Sequence, residues 1–392
     1  MAKLINLIFL NIISSIQDNY KLSDSKGCIM DIIRFNLSDN LQQLRHENII
    51  IYWAGFHGKI YKYILNQHGI DVKCYGTPDV VPPDKLYNGL PVYSISKIPF
   101  DTQEYTMILA LDPCQLKQEI DSISNLYKFK QILVTDETDV MMFCEEYIKN
   151  ILSKGKVDLS KPTISWAGVI IRNPFLQSNL YKHEFIYQAA DLLLPLYNDY
   201  TLTYEGPSEM GIVQLNSGDC VIDCGANIGL FSVYAASKRC KVYAFEPYLP
   251  TIEMLEYNQQ LYQDNITIIP AAVSNYIGSS TLYVNSKDYG SNSLYILPHA
   301  FVRGEDTKVE VITLDAFAEK EKIKKINFIK VDIEGAEANM IDGASEILKK
   351  WKPKLSICTY HKKDDKKVLS ELILKHNPNY SIEHKWKKLF AH

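Results

Sequence analysis

The stretch Asp223-Cys-Gly225-Ala-Asn227-Ile-Gly229 sets an acid, two glycines and an amide side chain between an apolar run and a helical pattern. Glycines let the chain turn tightly there, and the amides opening the helix face outward over the sheet edge as a ligand-binding turn. A dinucleotide turn needs glycines at relative positions 1, 3 and 6, whereas Gly225 and Gly229 stand at 1 and 5 with Asn227 at 3. That register argues against NAD. Glu246 closes the next apolar run, 23 residues after Asp223, where a carboxylate accepts both hydroxyls of a ribose. Asp332 ends a later apolar run, Glu334 and Glu337 follow it, and His361 comes after another. Asp332 and His361 thereby fall at the carboxyl edge of a parallel sheet, where open α/β folds hold ligands.

The elements that must position these residues are short and regular. Cys220–Asp223, Lys241–Glu246, Ile266–Ile269, Ile326–Val331 and Leu355–Thr359 are apolar runs alternating with helical patterns, which reads as a doubly wound parallel sheet. Between the third and fourth of them, Thr281–Val284 and Val309–Ile312 alternate in polarity and predict an inserted hairpin, with Tyr289–Ser293 as an acceptor flap. Upstream, Asn48–Tyr52, a turn over Trp53–Gly58, a helix over Lys59–Gln67 and Asp71–Tyr75 form a βαβ half-unit, with more strand candidates at Met107–Leu111 and Gln131–Val134. The fold class is therefore α/β: a doubly wound Rossmann-like sheet preceded by a second, smaller Rossmann-like domain. Domain bounds are expected at 1–45 (a helical segment, its apolar residues Leu4 to Ile16 at i, i+3, i+4 spacing), 46–150, 151–204 (a connecting and capping region with a helix over His183–Leu194) and 205–392.

An acid ending the first strand, with small residues two, four and six places on, is the pattern of S-adenosylmethionine-dependent methyltransferases. Glu205-Gly-Pro, Asp223-Cys-Gly-Ala-Asn-Ile-Gly-Leu-Phe-Ser232, Ala244-Phe-Glu-Pro247, Ala271-Ala-Val-Ser274, Thr313-Leu-Asp315 and Ile329-Lys-Val-Asp-Ile-Glu-Gly-Ala-Glu337 resemble, in order, the landmarks of the FkbM-type methyltransferase family. The resemblance spans about residues 200–392 and implies the class I methyltransferase fold and methyl transfer from S-adenosylmethionine to a hydroxyl, often on a sugar or a secondary metabolite. It places Asp223, Gly225, Ala226, Asn227 and Gly229 around the methionine portion, Glu246 and Pro247 at the ribose, and the Ala271-Ala272 backbone beside the adenine. Phe231, one turn into the helix, packs either on the cofactor or in the core.

Methyl transfer to a hydroxyl requires an oxygen held near the sulfonium methyl and a group to take its proton. Asp332, His361 and Glu334 are the catalytic candidates. With an ordinary pKa near ~6.5, His361 suits a base, yet beside Lys362 and Lys363 it reads equally as an inert surface histidine. Asp332, Glu334 and Glu337 read either as site carboxylates or as first-turn acids of a helix carrying Ala336, Met340, Ile341, Ala344, Ile347 and Leu348. A magnesium ion is not favoured, because Asp332 and Glu334 offer oxygen ligands but no further acidic cluster completes a site.

Composition narrows the partners. The 392 residues are 46% hydrophobic and 22% charged, with a net charge of −4, so a disordered chain, a multi-span membrane protein and a nucleic-acid binder are all disfavoured. The charge is uneven: Lys349–His392 holds twelve lysines against four acids, about +8, leaving about −12 on the rest. That tail is either a solvated basic face or a field that gathers a phosphate-bearing acceptor. Eight scattered cysteines without CxxC spacing suit reduced thiols and a cytoplasmic location. In the first domain Trp53 occupies the first glycine position of a 1, 3, 6 turn, which resists close phosphate approach. His57 reads as a turn residue. Ile49–Ile98 is similar to the Rossmann-like N-terminal domains of bacterial sugar-modifying enzymes, which tilts the acceptor towards a sugar, nucleotide-sugar or surface-glycan precursor. The alternatives are a nucleotide-dependent sugar oxidoreductase or epimerase, and an inactive scaffold in glycan assembly. A small-molecule acceptor, no nucleic acid and no integral membrane span are expected.

Overall fold

In the computed structural model, the described residues are 20–23, 29–35, 41–52, 56–77, 86–110, 129–135, 137–166, 169–178, 181–182, 184–186, 204–206, 213–285, 289–295, 304–385 and 388–392. The expected helix at Leu4–Ile16, the Trp53 turn position and most of His183–Leu194 lie outside them. The chain divides into two compact units, 1–151 and 152–392.

The first unit is built on β1 (Tyr20–Ser23), β2 (Ile29–Phe35), β3 (Asn48–Tyr52), α1 (Phe56–Gln67), β4 (Val72–Thr77), β5 (Leu86–Tyr87), β6 (Leu90–Ser94), β7 (Tyr105–Leu109), β8 (Gln131–Thr135) and most of α2 (Glu137–Lys154). Its sheet runs β1-β2-β8-β7-β3-β4-β6-β5, parallel from β2 to β6, with β1 and β5 antiparallel at the two edges. The order β6-β4-β3-β7-β8 is the Rossmann order, reversing between β3 and β7. Ile50, Met107 and Ile132, wholly buried, form its core on neighbouring strands. His57 belongs to the first turn of α1.

The second unit opens with the hairpin β9 (Thr163–Trp166) and β10 (Val169–Arg172), where a connecting stretch was expected. The hairpin docks beside the central sheet through β10: Arg172 N donates to Asn258 Oδ1 (3.1 Å) and Ile170 N to the Tyr262 hydroxyl (3.0 Å). There follow β11 (Cys220–Cys224), α3 (Leu230–Ser237), β12 (Lys241–Phe245), α4 (Leu249–Gln259), β13 (Ile266–Ile269), β14 (Ala272–Val273), β15 (Gly278–Leu282), β16 (Thr307–Ile312), α5 (Leu314–Lys320), β17 (Phe328–Val331), α6 (Glu337–Asp342), α7 (Ser345–Trp351), β18 (Lys354–Cys358), α8 (Asp365–His376), β19 (Ile382–Lys385) and β20 (Lys388–Ala391).

Seven of these strands form one sheet, β13-β12-β11-β17-β18-β20-β19. It is parallel except for β20, which runs antiparallel to both neighbours. The central strands are buried on both faces, which is why β11 and β17 read as near-continuous apolar runs. Lys330 breaks the run in β17 and is compensated there: its Nζ stands 3.1 Å from Asp223 Oδ1 on β11, with both side chains buried. The expected hairpin exists as β15 against β16, completed by β14 on the far side of β16.

One expected helix is two. The chain from Asp332 to Ala336 is a loop, because Glu334 (φ 52°) and Gly335 (φ 95°) take left-handed conformations that a right-handed helix excludes. The helix then breaks between α6 and α7 at Gly343, where an added Cβ would lie 2.1 Å from the Ser274 carbonyl oxygen. Among the described residues no helix is long and apolar enough to cross a membrane.

Candidate active site

The strand order reverses between β11 and β17, and a crevice opens at their carboxyl ends. Gly225, Asn227, Glu246 and Pro247 line one side, with Ala271 and Ala272 beside them; Asp332 and Glu334 line another. Asp223, Ala226, Gly229, Phe231 and His361 do not line it. Asp223 is fully buried, pairing with Lys330 and accepting from the Ser232 hydroxyl (2.7 Å). Phe231 is a core residue, its ring 5.4 Å from Tyr204 and 6.0 Å from Phe328. Gly229 opens α3 in a left-handed conformation, and a Cβ there would strike Leu255 Cδ1 at 2.2 Å.

Gly225 is demanded more strongly still. Its φ is +75°, and a Cβ would sit 1.9 Å from the backbone oxygen of Asp332, so the first and fourth parallel strands approach backbone to backbone at the floor of the crevice. Asn227, at φ 48°, is one of the few side chains that tolerate the left-handed region. Its backbone N donates to Glu246 Oε2 (3.0 Å), while Tyr248 N donates to Oε1 (3.0 Å). Those amides fix the carboxylate and leave it further lone pairs for ligand hydroxyls. Burial pushes the Glu246 carboxyl up to about 7, opposed by the two amides and by Lys330.

Glu184 was missed in the sequence. This buried residue accepts from Asn227 Nδ2 (2.9 Å) and from Tyr289 N (3.0 Å), tying the glycine turn to the flap. The flap is closed at its base by paired Tyr283 and Ser293 backbones, and its Tyr289 ring meets Tyr248 edge-on at 5.0 Å.

On the opposite side, Asp332 Oδ2 accepts from the Tyr204 hydroxyl (2.6 Å) and Oδ1 from the Tyr360 hydroxyl (3.2 Å). Burial alone would raise the Asp332 carboxyl, but the charges of Lys330 and His361, with the Tyr204 hydroxyl, hold it below the usual carboxylate range. The ammonium groups of Lys388 and Lys330 stand 4.3 and 5.1 Å from the Tyr204 ring centroid, cation–π contacts that seat the ring beside Asp332. A lysine inside the apolar run of β17 was the sequence signal for this arrangement; Tyr204 gave none beyond its place before the Glu205-Gly-Pro motif.

His361 is neither a surface residue nor a free base. Its side chain is 3% exposed, because the chain after β18 turns the ring down onto the loop before α6. Nδ1 lies 2.9 Å from Glu337 Oε1, and Nε2 lies 3.1 Å from Glu334 Oε1 and 3.6 Å from Asp332 Oδ1. Burial would lower its pKa, but Glu334 and Glu337 raise it to about 11, so the imidazole is cationic near neutral pH. Burial likewise lifts Glu334 to about 7, against the pull of His361.

The strand order 3-2-1-4-5-7-6 with the seventh strand reversed, the glycine turn after the first strand and the acid after the second define a class I, Rossmann-like methyltransferase fold. Residues 223–382, within the second unit, match the family model of the methyltransferase FkbM domain. Among curated proteins, Methyltransferase 1 of Beauveria bassiana is 26% identical over 145 residues, covering 32% of this chain and 58% of that protein. Methyltransferase sdnD of Sordaria araneosa is 26% identical over 186 residues, 36% of this chain and 70% of that one. The match thus spans little more than half the length of the first of these relatives. Among solved structures, the methyltransferase FkbM from Methylobacillus flagellatus KT aligns over 91% of this chain and 92% of its own, at 18% identity and a TM-score of 0.39.

Proposed function

We propose that the protein is an S-adenosylmethionine-dependent O-methyltransferase acting on a hydroxyl of a sugar, nucleotide-sugar or surface-glycan precursor. The observation that carries this reading is the crevice itself: a ribose-accepting carboxylate, Glu246, on one side and a pair of carboxylates, Asp332 and Glu334, on the other. S-adenosylmethionine supplies a methyl on a sulfonium, which passes to the acceptor oxygen as the C–S electron pair returns to sulfur, giving a methyl ether, S-adenosylhomocysteine and a proton.

The chain's own residues divide that work. Glu246, fixed by Asn227 and Tyr248 amides, accepts the ribose hydroxyls. The open backbone at Gly225, which no side chain obstructs, admits the amino-acid end, and Ala271 and Ala272 flank the base. Asp332, held ionised by Lys330 and His361, orients the acceptor hydroxyl and takes its proton. His361 cannot do so while it is itself protonated, so its role is to hold the carboxylates. The test is incubation with methyl-tritiated S-adenosylmethionine and fractionated glycan precursors, identifying the labelled product by mass. Label on a sugar oxygen is expected; no label, or label on nitrogen or carbon, overturns the reading.

The Rossmann strand order of the first unit favours a second reading, a nucleotide-dependent sugar oxidoreductase or epimerase working from that unit. NADH fluorescence tests it, and a bound-cofactor signal would support it.

A further inference from the structure

We infer that Asp332, Glu334 and His361 form a binding site for one divalent cation of the Mn²⁺ or Mg²⁺ class, at the edge of the crevice where the acceptor hydroxyl is held. From the sequence, Asp332 and Glu334 formed an incomplete ligand set; the fold supplies the third member from a separate strand end. The candidate ligand atoms of these three residues all lie within 4.8 Å of one another. Ligands on a metal with bonds of ~2.1 Å stand ~3.0 Å apart when adjacent and ~4.2 Å when opposite. The separations from His361 Nε2, 3.1 Å to Glu334 and 3.6 Å to Asp332, fall within that range.

A cluster of acids alone would not point to a cation. The second observation is the imidazole. His361 is almost wholly buried and aimed into the cluster, yet neither ring nitrogen makes a directed hydrogen bond. Its contacts with the three carboxylates are ion pairs. Behind the ring, Glu337 Oε1 stands 2.9 Å from Nδ1 and is itself anchored by the amides of Ile333 (3.2 Å) and Gly335 (3.3 Å). This fixed carboxylate, ion-paired to the back of the ring, restrains the imidazole with Nε2 facing the oxygen ligands, as outer carboxylates restrain metal-binding histidines. Asp332 is held in place by two hydroxyls, Tyr204 on Oδ2 and Tyr360 on Oδ1, with Oδ1 3.6 Å from the ring nitrogen. The ion displaces the Nε2 proton, and one imidazole nitrogen with two carboxylate oxygens then suits Mn²⁺ or Mg²⁺, with water and the acceptor oxygen filling the remaining positions.

The role of the ion rests on the methyl-transfer reading: bound to the acceptor hydroxyl, it makes that proton easier to lose. Its presence is tested separately. Manganese is titrated into the chelator-treated full chain and free Mn²⁺ is followed by electron paramagnetic resonance. S-adenosylhomocysteine is titrated calorimetrically into the same protein without metal, which reports on the crevice alone. One Mn²⁺ per chain is expected, with affinity reduced about 10-fold or more in His361→Gln and in Glu334→Gln, and about 10-fold in Glu337→Gln. Circular dichroism shows which variants fold, and any one of them suffices. Absence of stoichiometric Mn²⁺, or equal binding by a folded variant, overturns the inference even if S-adenosylhomocysteine binds.

Discussion

Glu246 carries two roles that pull in opposite directions: its burial favours the neutral acid, with a pKa of about 7, while ribose hydroxyls need an ionised acceptor. Binding therefore draws its pKa down and releases a proton, so affinity for S-adenosylhomocysteine rises with pH between about 6 and 8 and levels off above the free-protein value. Calorimetry across that range in buffers of different ionisation enthalpy checks this. Glu246→Gln is expected to bind roughly 10- to 100-fold more weakly, the value of hydrogen bonds to a charged group at ~1.5–3 kcal/mol, and to lose the pH dependence. At Gly225 the expectation concerns stability. An alanine Cβ 1.9 Å from a backbone oxygen at φ +75° finds no relief in rotamer changes, so Gly225→Ala costs at least about 1–3 kcal/mol in urea unfolding. Wild-type stability in that variant would contradict the close approach of the two strands.

At the scale of elements, the central strands were legible because a parallel strand buried on both faces must be apolar along its length, as Val242–Phe245 is. The glycine turn was legible because its backbone admits little else. Less legible was whatever depended on chain segments distant in sequence. Glu184 reaches Asn227 across 43 residues, and nothing in its local pattern marks it. His361 sits in a polar run beside Lys362 and Lys363, so its burial follows only from the turn after β18 meeting the loop before α6. The expected single helix after Asp332 failed for a local reason, the left-handed Glu334-Gly335 pair. Glu184 offers a test at this scale. Glu184→Ala removes the acceptor of the Tyr289 amide and of Asn227 Nδ2. Hydrogen exchange at Tyr289 should quicken, and S-adenosylhomocysteine affinity should fall about 10-fold, with Glu184→Gln intermediate. Unchanged exchange would show that the flap is not held from that segment.

Across the whole molecule, the basic segment Lys349–His392 and the acidic remainder provide a way to distinguish acceptors by charge. For a phosphate-bearing sugar, kcat/KM should fall as NaCl rises from about 0.05 to 0.5 M, while a neutral sugar of the same size should respond little. Identical salt profiles for the two would assign the lysines to solvation alone. The match to the FkbM domain covers residues 223–382, and the first unit has a Rossmann sheet of its own. A crystal structure of the full chain grown with S-adenosylhomocysteine tests the crevice of the second unit. The nucleoside is expected in that crevice, its ribose hydroxyls on the Glu246 carboxylate and its amino-acid end over Gly225. An empty crevice at saturating ligand, or the nucleoside held in the first unit instead, would contradict that placement.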